Sequence, residues 1–160
     1  MARFESLTTY LDGTFENGIE PSSLYICSLH GHPEFVKLGF CSIKFRNLRH
    51  SDPLYKDVLF ESCKDDEIAQ KIGDIKRTDA WLYEQFILEK KTARREIIPE
   101  LKDKKWSGYT ETLRLPEEDR EKFIQEFKTG ILYSFRRDLI GLENWYKLIK
   151  ELCMTDEDRN

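Results

Sequence analysis

Short runs of apolar and aromatic positions between polar turns predict the strands of this chain. Ser23–Leu29, Phe35–Ser42 and Tyr55–Cys63 consist mostly of residues that favour a pleated, half-buried surface. The segment HGHPE between the first two runs predicts a turn that brings the second strand back antiparallel to the first. Gly39 falls inside the second run, where an isolated glycine indicates a bulge or a close backbone approach.

Helical spacing of apolar positions predicts the other elements. The clearest helix is Ala80–Arg95, in which basic residues crowd the C-terminal end, where the helix dipole favours positive charge. Pro116 predicts the start of a second long helix, with Phe123 and Phe127 as core or dimer contacts. Shorter helices are expected within 1–20, at 43–50 and from 142 to 153. We expect a short helix or a loop at 65–79 and an irregular or strand-like segment at 106–116.

This order of elements predicts an α+β protein with a small three-stranded antiparallel sheet flanked by helices and a helical C-terminal extension. No repeat, low-complexity tract or interdomain linker interrupts the chain, so we expect 1–160 to form a single domain.

Composition supports a folded protein and leaves the meaning of its charge open. The 160 residues are 39% hydrophobic and 12% aromatic, which argues against disorder, and the net charge is −4. The charges are segregated: 37–50 and 90–105 are basic, whereas 51–89 carries ten acidic against five basic residues. These segments fit either solvated faces of mixed sign or two basic patches around a polyanion.

Redox state and location follow from what the sequence does not contain. No stretch of about 18 apolar residues predicts a membrane span, and acidic residues stand where a signal peptide needs an apolar centre. We therefore expect a cytoplasmic protein with reduced thiols at Cys27, Cys41, Cys63 and Cys153.

Two short triads carry the strongest functional signal. Ser23-Leu24-Tyr25 is followed, after residues 26–36, by Lys37-Leu38-Gly39, then by Arg46 and by Glu84 on the central helix. In this ordered set the chain resembles the GIY-YIG nuclease family, and most closely its phage-type branch with a K-I-G second motif. The phrase WSGYTE also resembles that branch in Trp106, Gly108 and Glu111. The likeness covers about 23–113, which would then be the nuclease core, with 1–22 as an N-terminal extension and 114–160 as a helical C-terminal extension.

The resemblance implies a metal-dependent DNA endonuclease, in a phage-infected or bacterial cell. Tyr25 would serve as or assist the general base, with its pKa depressed by the ammonium group of Lys37. Arg46 would hold the scissile phosphate, and Glu84 would bind a divalent cation, Mg²⁺ or Mn²⁺. Lys37 stands where the family usually has a second tyrosine, so the proton-relay role of that position is in question.

Basic residues around the proposed core are candidates for contacts to the DNA backbone, giving salt-sensitive and largely sequence-independent affinity. They are Lys44, Arg49, Lys90, Lys91, Arg94, Arg95, Lys102, Lys104 and Lys105. The alternative is a solvated helix end. The protein would act as a monomer or a homodimer.

Three other interpretations stay open. The scaffold could be a catalytically silent nucleic-acid-binding or regulatory protein, or the C-terminal aromatic helices could dock a protein partner. Cys27, His30, His32 and Cys41 could bind zinc if they converged tetrahedrally, although their spacing matches no familiar closed site, and turn residues and packed thiols fit the pattern better.

Overall fold

An antiparallel sheet organises the described part of the chain. The computed structural model describes residues 20–43, 52–90 and 94–135. Its strands are β1 (Pro21–Leu29), β2 (His32–Ser42), β3 (Tyr55–Glu61), β4 (Ile75–Lys76) and β5 (Thr112–Arg114). The strand order is β3-β1-β2-β5, and the short β4 pairs with the start of β1.

The three predicted strands are confirmed, and the predicted count of three is too low. Gly31, at φ +78°, lies in the tight turn between β1 and β2. The third strand ends at Glu61 because Ser62–Lys64 form a 3-10 turn. Strands β4 and β5 contain two and three residues, too few for a period-two pattern to emerge.

Four α-helices accompany the sheet in the described residues. They are α1 (Asp66–Lys71), α2 (Arg77–Lys90), α3 (Pro99–Asp103) and α4 (Glu117–Ser134). The Asp65 side chain caps α1 by accepting a hydrogen bond from the backbone N–H of Ile68 at 3.0 Å. Helix α4 begins directly after Pro116, as predicted.

The central helix differs from its prediction at both ends. Helix α2 begins at Arg77, before the predicted Ala80, and ends at Lys90. Its predicted last residue, Arg95, instead forms an isolated antiparallel bridge to Leu113 and extends the sheet beside β5. Tertiary pairing therefore overrides the helix propensity of the basic run.

The main core lies between one face of the sheet and helices α2 and α4. Alternate residues of β1 and β2 point into it, and the helices cover it with aromatic and aliphatic side chains. The buried cluster includes Leu24, Ile26, Val36, Leu38, Tyr83, Ile87, Phe123, Phe127 and Ile131. Helix α4, predicted to belong to a C-terminal extension, is thus part of the core.

The opposite face of β1 and β2 carries a different set of residues. Tyr25, Cys27 and Cys41 form a small buried cluster there, with Tyr55 packed against it. Because side chains alternate along a strand, Tyr25 and Cys27 share a face, as predicted. This second face positions the candidate site.

Several predictions fall on 1–19, 44–51, 91–93 and 136–160, outside the described residues. They are the helices expected within 1–20, at 43–50 and from 142 to 153, together with Lys44, Arg46, Arg49, Lys91 and Cys153. Within the segments that the structure does describe, none of the helices combines the length and apolar composition that a membrane crossing requires.

Candidate active site

Tyr25 and Lys37 meet above Gly39 on the second face of the sheet. Tyr25 on β1 lies directly opposite Gly39 on β2, and Cys27 lies opposite Lys37. A Cβ atom added at Gly39 would lie 2.5 Å from the Tyr25 hydroxyl and 2.7 Å from Nζ of Lys37. The missing side chain therefore provides the space that both polar atoms need. The sequence predicted a bulge or a close backbone approach at this glycine, and the strand register shows no bulge there but a close approach of two side chains.

The WSGYTE segment surrounds Lys37. Oε2 of Glu111 lies 3.5 Å from Nζ of Lys37, and the same ammonium donates a hydrogen bond to the Leu38 carbonyl at 2.8 Å. A Cβ atom added at Gly108 would lie 2.6 Å from Cε of Lys37 and 2.8 Å from the Trp106 ring. Burial of an ammonium group is costly unless it is paired, and here a carboxylate and a carbonyl compensate it.

Glu84 reaches the same place from helix α2. A cavity of about 250 Å³ is lined by Tyr25, Lys37, Glu84 and Glu111, together with Phe40, Cys41, Ser42 and Arg77. Tyr25, Lys37 and Glu84 are only 1%, 5% and 3% exposed. Since β5 pairs with Phe35–Lys37, the cavity lies where β2 continues past the end of β5.

Arg77 is a cavity residue that the sequence analysis did not find. It is the first residue of α2, about two helical turns before Glu84, so the two side chains project from one side of the helix. Its backbone N–H donates to the Glu20 carbonyl, and Glu20 accepts a hydrogen bond from Ser42 Oγ at 2.6 Å. Arg77 lies before the predicted start of this helix at Ala80, so its spacing to Glu84 gave no signal in the sequence.

Tyr25 has a raised pKa, which corrects the expectation that Lys37 depresses it. Burial of the phenol is the main cause, and the neighbouring Tyr55 hydroxyl adds to it. Nζ of Lys37 lies 5.4 Å from the centre of the Tyr25 ring, a cation–π contact. Tyr25 is therefore a neutral phenol at physiological pH.

The thiol of Cys27 is also protonated. Burial raises its pKa to about 12, with Lys37 opposing the shift. Within 20–43, 52–90 and 94–135 no three His, Cys, Asp or Glu side chains are grouped so that they could hold a metal ion. The described residues accordingly contain no zinc site formed by Cys27, His30, His32 and Cys41.

The basic run after α2 is used partly for structure. Arg94 contacts Asp119 at 3.4 Å, and Arg95 donates to the Thr110 carbonyl at 3.0 Å. Lys104 pairs with Glu100 at 2.9 Å on the surface of α3. Lys102 and Lys105 are exposed, whereas the side chain of Lys90 lies outside the described set. The structure thus brings Tyr25, Lys37, Gly39, Glu84, Gly108 and Glu111 together. None of the described residues of the basic run lines this cavity.

Trp106 connects the site to the loop before β3. Its indole N–H donates to Oδ2 of Asp52 at 2.9 Å, and its ring meets Tyr55 edge to face at 6.1 Å between centroids. These contacts hold the WSGYTE segment against the sheet.

No protein-family model, curated protein or solved structure matches this chain.

Proposed function

We propose that this protein is a metal-dependent endonuclease that hydrolyses phosphodiester bonds in DNA by a GIY-YIG-type mechanism. One observation carries the proposal. Tyr25, Lys37 and Glu84, chosen from three separate segments of the sequence, line a single cavity. If the resemblance of the short triads were accidental, there would be no reason for these three side chains to line the same cavity.

The described side chains suit the charge changes of phosphodiester hydrolysis. A neutral Tyr25 can orient an attacking water and accept its proton if it passes its own proton on. Lys37 and Arg77 place two cations at the cavity, where they can offset the charge that develops on phosphate oxygens. Arg46, outside the described residues, keeps its proposed role at the scissile phosphate.

Glu84 and Glu111 fit the needs of a magnesium ion. Mg²⁺ is commonly held by one or two carboxylates, with waters and substrate phosphate completing its octahedron. Both carboxylates line the cavity, whose volume of about 250 Å³ also leaves room for waters. Glu84 would be the protein ligand, with Glu111 shared between the ion and Lys37. A bound Mg²⁺ would supply Lewis-acid stabilisation of the leaving oxygen.

Nicking of supercoiled plasmid in Mg²⁺, with EDTA as the blank, tests the proposal. We expect Tyr25→Phe to slow nicking by about 100-fold or more, because positioned proton transfer contributes about 10²–10⁴-fold. Tyr133→Phe is the matched control, since Tyr133 is 56% exposed on α4. Its rate should equal that of the wild type.

The same experiment separates the alternatives. If the protein retards DNA but never nicks it, a silent binding module on this scaffold is the better interpretation. If it has no affinity for DNA at low salt, a protein-interaction module remains. Nicking that survives Tyr25→Phe unchanged would contradict the assignment of the site.

A further inference from the structure

The hydroxyl of Tyr55 lies beside that of Tyr25, on a residue that the sequence analysis assigned no role. The two oxygens are 3.4 Å apart, and the ring centroids are 6.2 Å apart. Tyr25 is buried, whereas Tyr55 is only partly buried. Tyr55 is therefore the more exposed residue of this hydroxyl pair.

A buried phenol such as Tyr25 needs a proton acceptor of its own if it takes a proton from water. Its pKa is raised by burial, so an accumulated phenolate is unfavourable. Tyr25 can accept a proton only while it gives up its own. The acceptor must lie within reach of the hydroxyl, and Tyr55 meets this condition.

We propose that Tyr55 relays the proton from Tyr25 to solvent during hydrolysis, a role that rests on the proposed function. The attacking water transfers one proton to the Tyr25 oxygen, the Tyr25 hydroxyl proton moves to the Tyr55 oxygen, and the Tyr55 proton leaves to a solvent water. The water oxygen forms its bond to phosphorus as the bond from phosphorus to the leaving oxygen breaks. The leaving oxygen takes a proton from a second water. Tyr55 acts through Tyr25 and is therefore a positioning residue.

The surroundings of Tyr55 hold its ring in place. The Tyr55 backbone N–H donates to the Asp52 carbonyl at 3.0 Å, and Trp106, anchored by the Asp52 carboxylate, packs edge to face on the ring. The titratable and charged groups around the tyrosine pair in the described residues are Cys27, Lys37, Cys41, Asp52 and Glu61, together with Arg77, Glu84 and Glu111, which line the cavity with Tyr25. Loss of the Tyr55 hydroxyl alone leaves this packing intact.

Two substitutions at position 55 test the relay in single-turnover nicking. Tyr55→Phe should lower the rate by about tenfold or more without changing DNA affinity, measured with Ca²⁺ in place of Mg²⁺. Replacement of Tyr55 by 3-fluorotyrosine keeps the shape and lowers the phenol pKa. The alkaline limb of its pH–rate profile should therefore move to lower pH. Tyr133→Phe, which removes the hydroxyl of an exposed tyrosine on α4, should match the wild type in both measurements.

The outcomes distinguish the two proposals. A wild-type protein that nicks no DNA overturns the nuclease function and the relay together. A wild-type nuclease whose Tyr55→Phe variant keeps the full rate overturns the relay and leaves the nuclease in place. If Tyr55→Phe fails to fold, the fluorotyrosine protein decides, since an unshifted pH profile shows that Tyr55 serves packing alone.

Discussion

Gly39 shows how one absent side chain creates the site. The Tyr25 hydroxyl and the Lys37 ammonium lie 2.5 and 2.7 Å from the position that a Cβ atom would take, closer than such an atom allows. Gly39→Ala should therefore displace both groups and cost about 1–3 kcal/mol of stability through overpacking. Nicking per folded molecule should fall at least as much as for Tyr25→Phe.

Gly130→Ala is the matched control for Gly39→Ala. A Cβ atom at Gly130 would collide with the Tyr83 hydroxyl, in the core on the other side of the sheet. That variant should lose stability in chemical denaturation and keep the nicking rate of its folded fraction. Equal nicking by Gly39→Ala and the wild type would show that the space over Gly39 is irrelevant to activity.

Cys27 makes stability depend on alkaline pH. Its pKa rises from 9.0 to about 12 on folding because the thiol is buried. Below pH 9 both states carry the proton. Between pH 9 and 12 only the unfolded thiol loses it, so the free energy of unfolding falls as pH rises. The slope from this group approaches about 1.4 kcal/mol per pH unit.

Denaturant titrations between pH 8 and 10.5 measure this effect. Cys27→Ala should show a shallower loss of stability across that range than the wild type. The raised pKa values of Tyr25 and Tyr83 act in the same direction, so part of the slope should persist in the variant. An identical slope in both proteins would contradict the effect.

At the scale of elements, helix α2 delivers one cation and one carboxylate to the cavity. Arg77→Gln should weaken DNA binding in Ca²⁺ and reduce the slope of log affinity against log salt by about 1, as expected for one lost phosphate contact. Lys122→Gln, which removes an exposed cation on α4, is the control and should leave the slope unchanged. An unaltered slope in Arg77→Gln would place its guanidinium away from the phosphates.

The same elements show what local sequence can reveal. The sequence predicts β1, β2 and β3 and the start of α4 from residue types and from the turn and proline residues that bound them. Each of these elements is long enough to show its own pattern. Strand β4 and the bridge at Arg95 arise from pairing with distant partners, Ser22 and Leu113 respectively. The residues of the helix region do not by themselves reveal pairings with distant partners. The predicted limits of α2 were wrong for this reason.

At the scale of the whole molecule, the net charge of −4 does not show which positive and negative side chains lie close together in the fold. The cavity combines the cations of Lys37 and Arg77 with the carboxylates of Glu84 and Glu111, from three separate stretches of chain. The resemblance predicted Tyr25, Lys37, Gly39, Arg46 and Glu84 as one ordered set, and added Glu111 from the WSGYTE phrase. Arg77 and Tyr55 could not be found in that way, because their place at the site depends on the packing of α2 and β3 against the sheet.

Glu84→Gln provides the most direct test of the nuclease account. The change removes the proposed metal ligand and keeps the shape of a side chain that is only 3% exposed. Glu121→Gln, at an exposed position on α4, makes the same chemical change away from the cavity. Circular dichroism and thermal melting should first establish that both variants are folded.

Single-turnover nicking of supercoiled plasmid is then measured against Mg²⁺ concentration for both variants and the wild type. We expect Glu84→Gln to lose about 100-fold or more in rate at every Mg²⁺ concentration, because it removes the proposed protein ligand of the ion that would stabilise the reacting phosphate. Glu121→Gln should superimpose on the wild-type curve. A folded Glu84→Gln protein that nicks DNA at the wild-type rate would contradict the account.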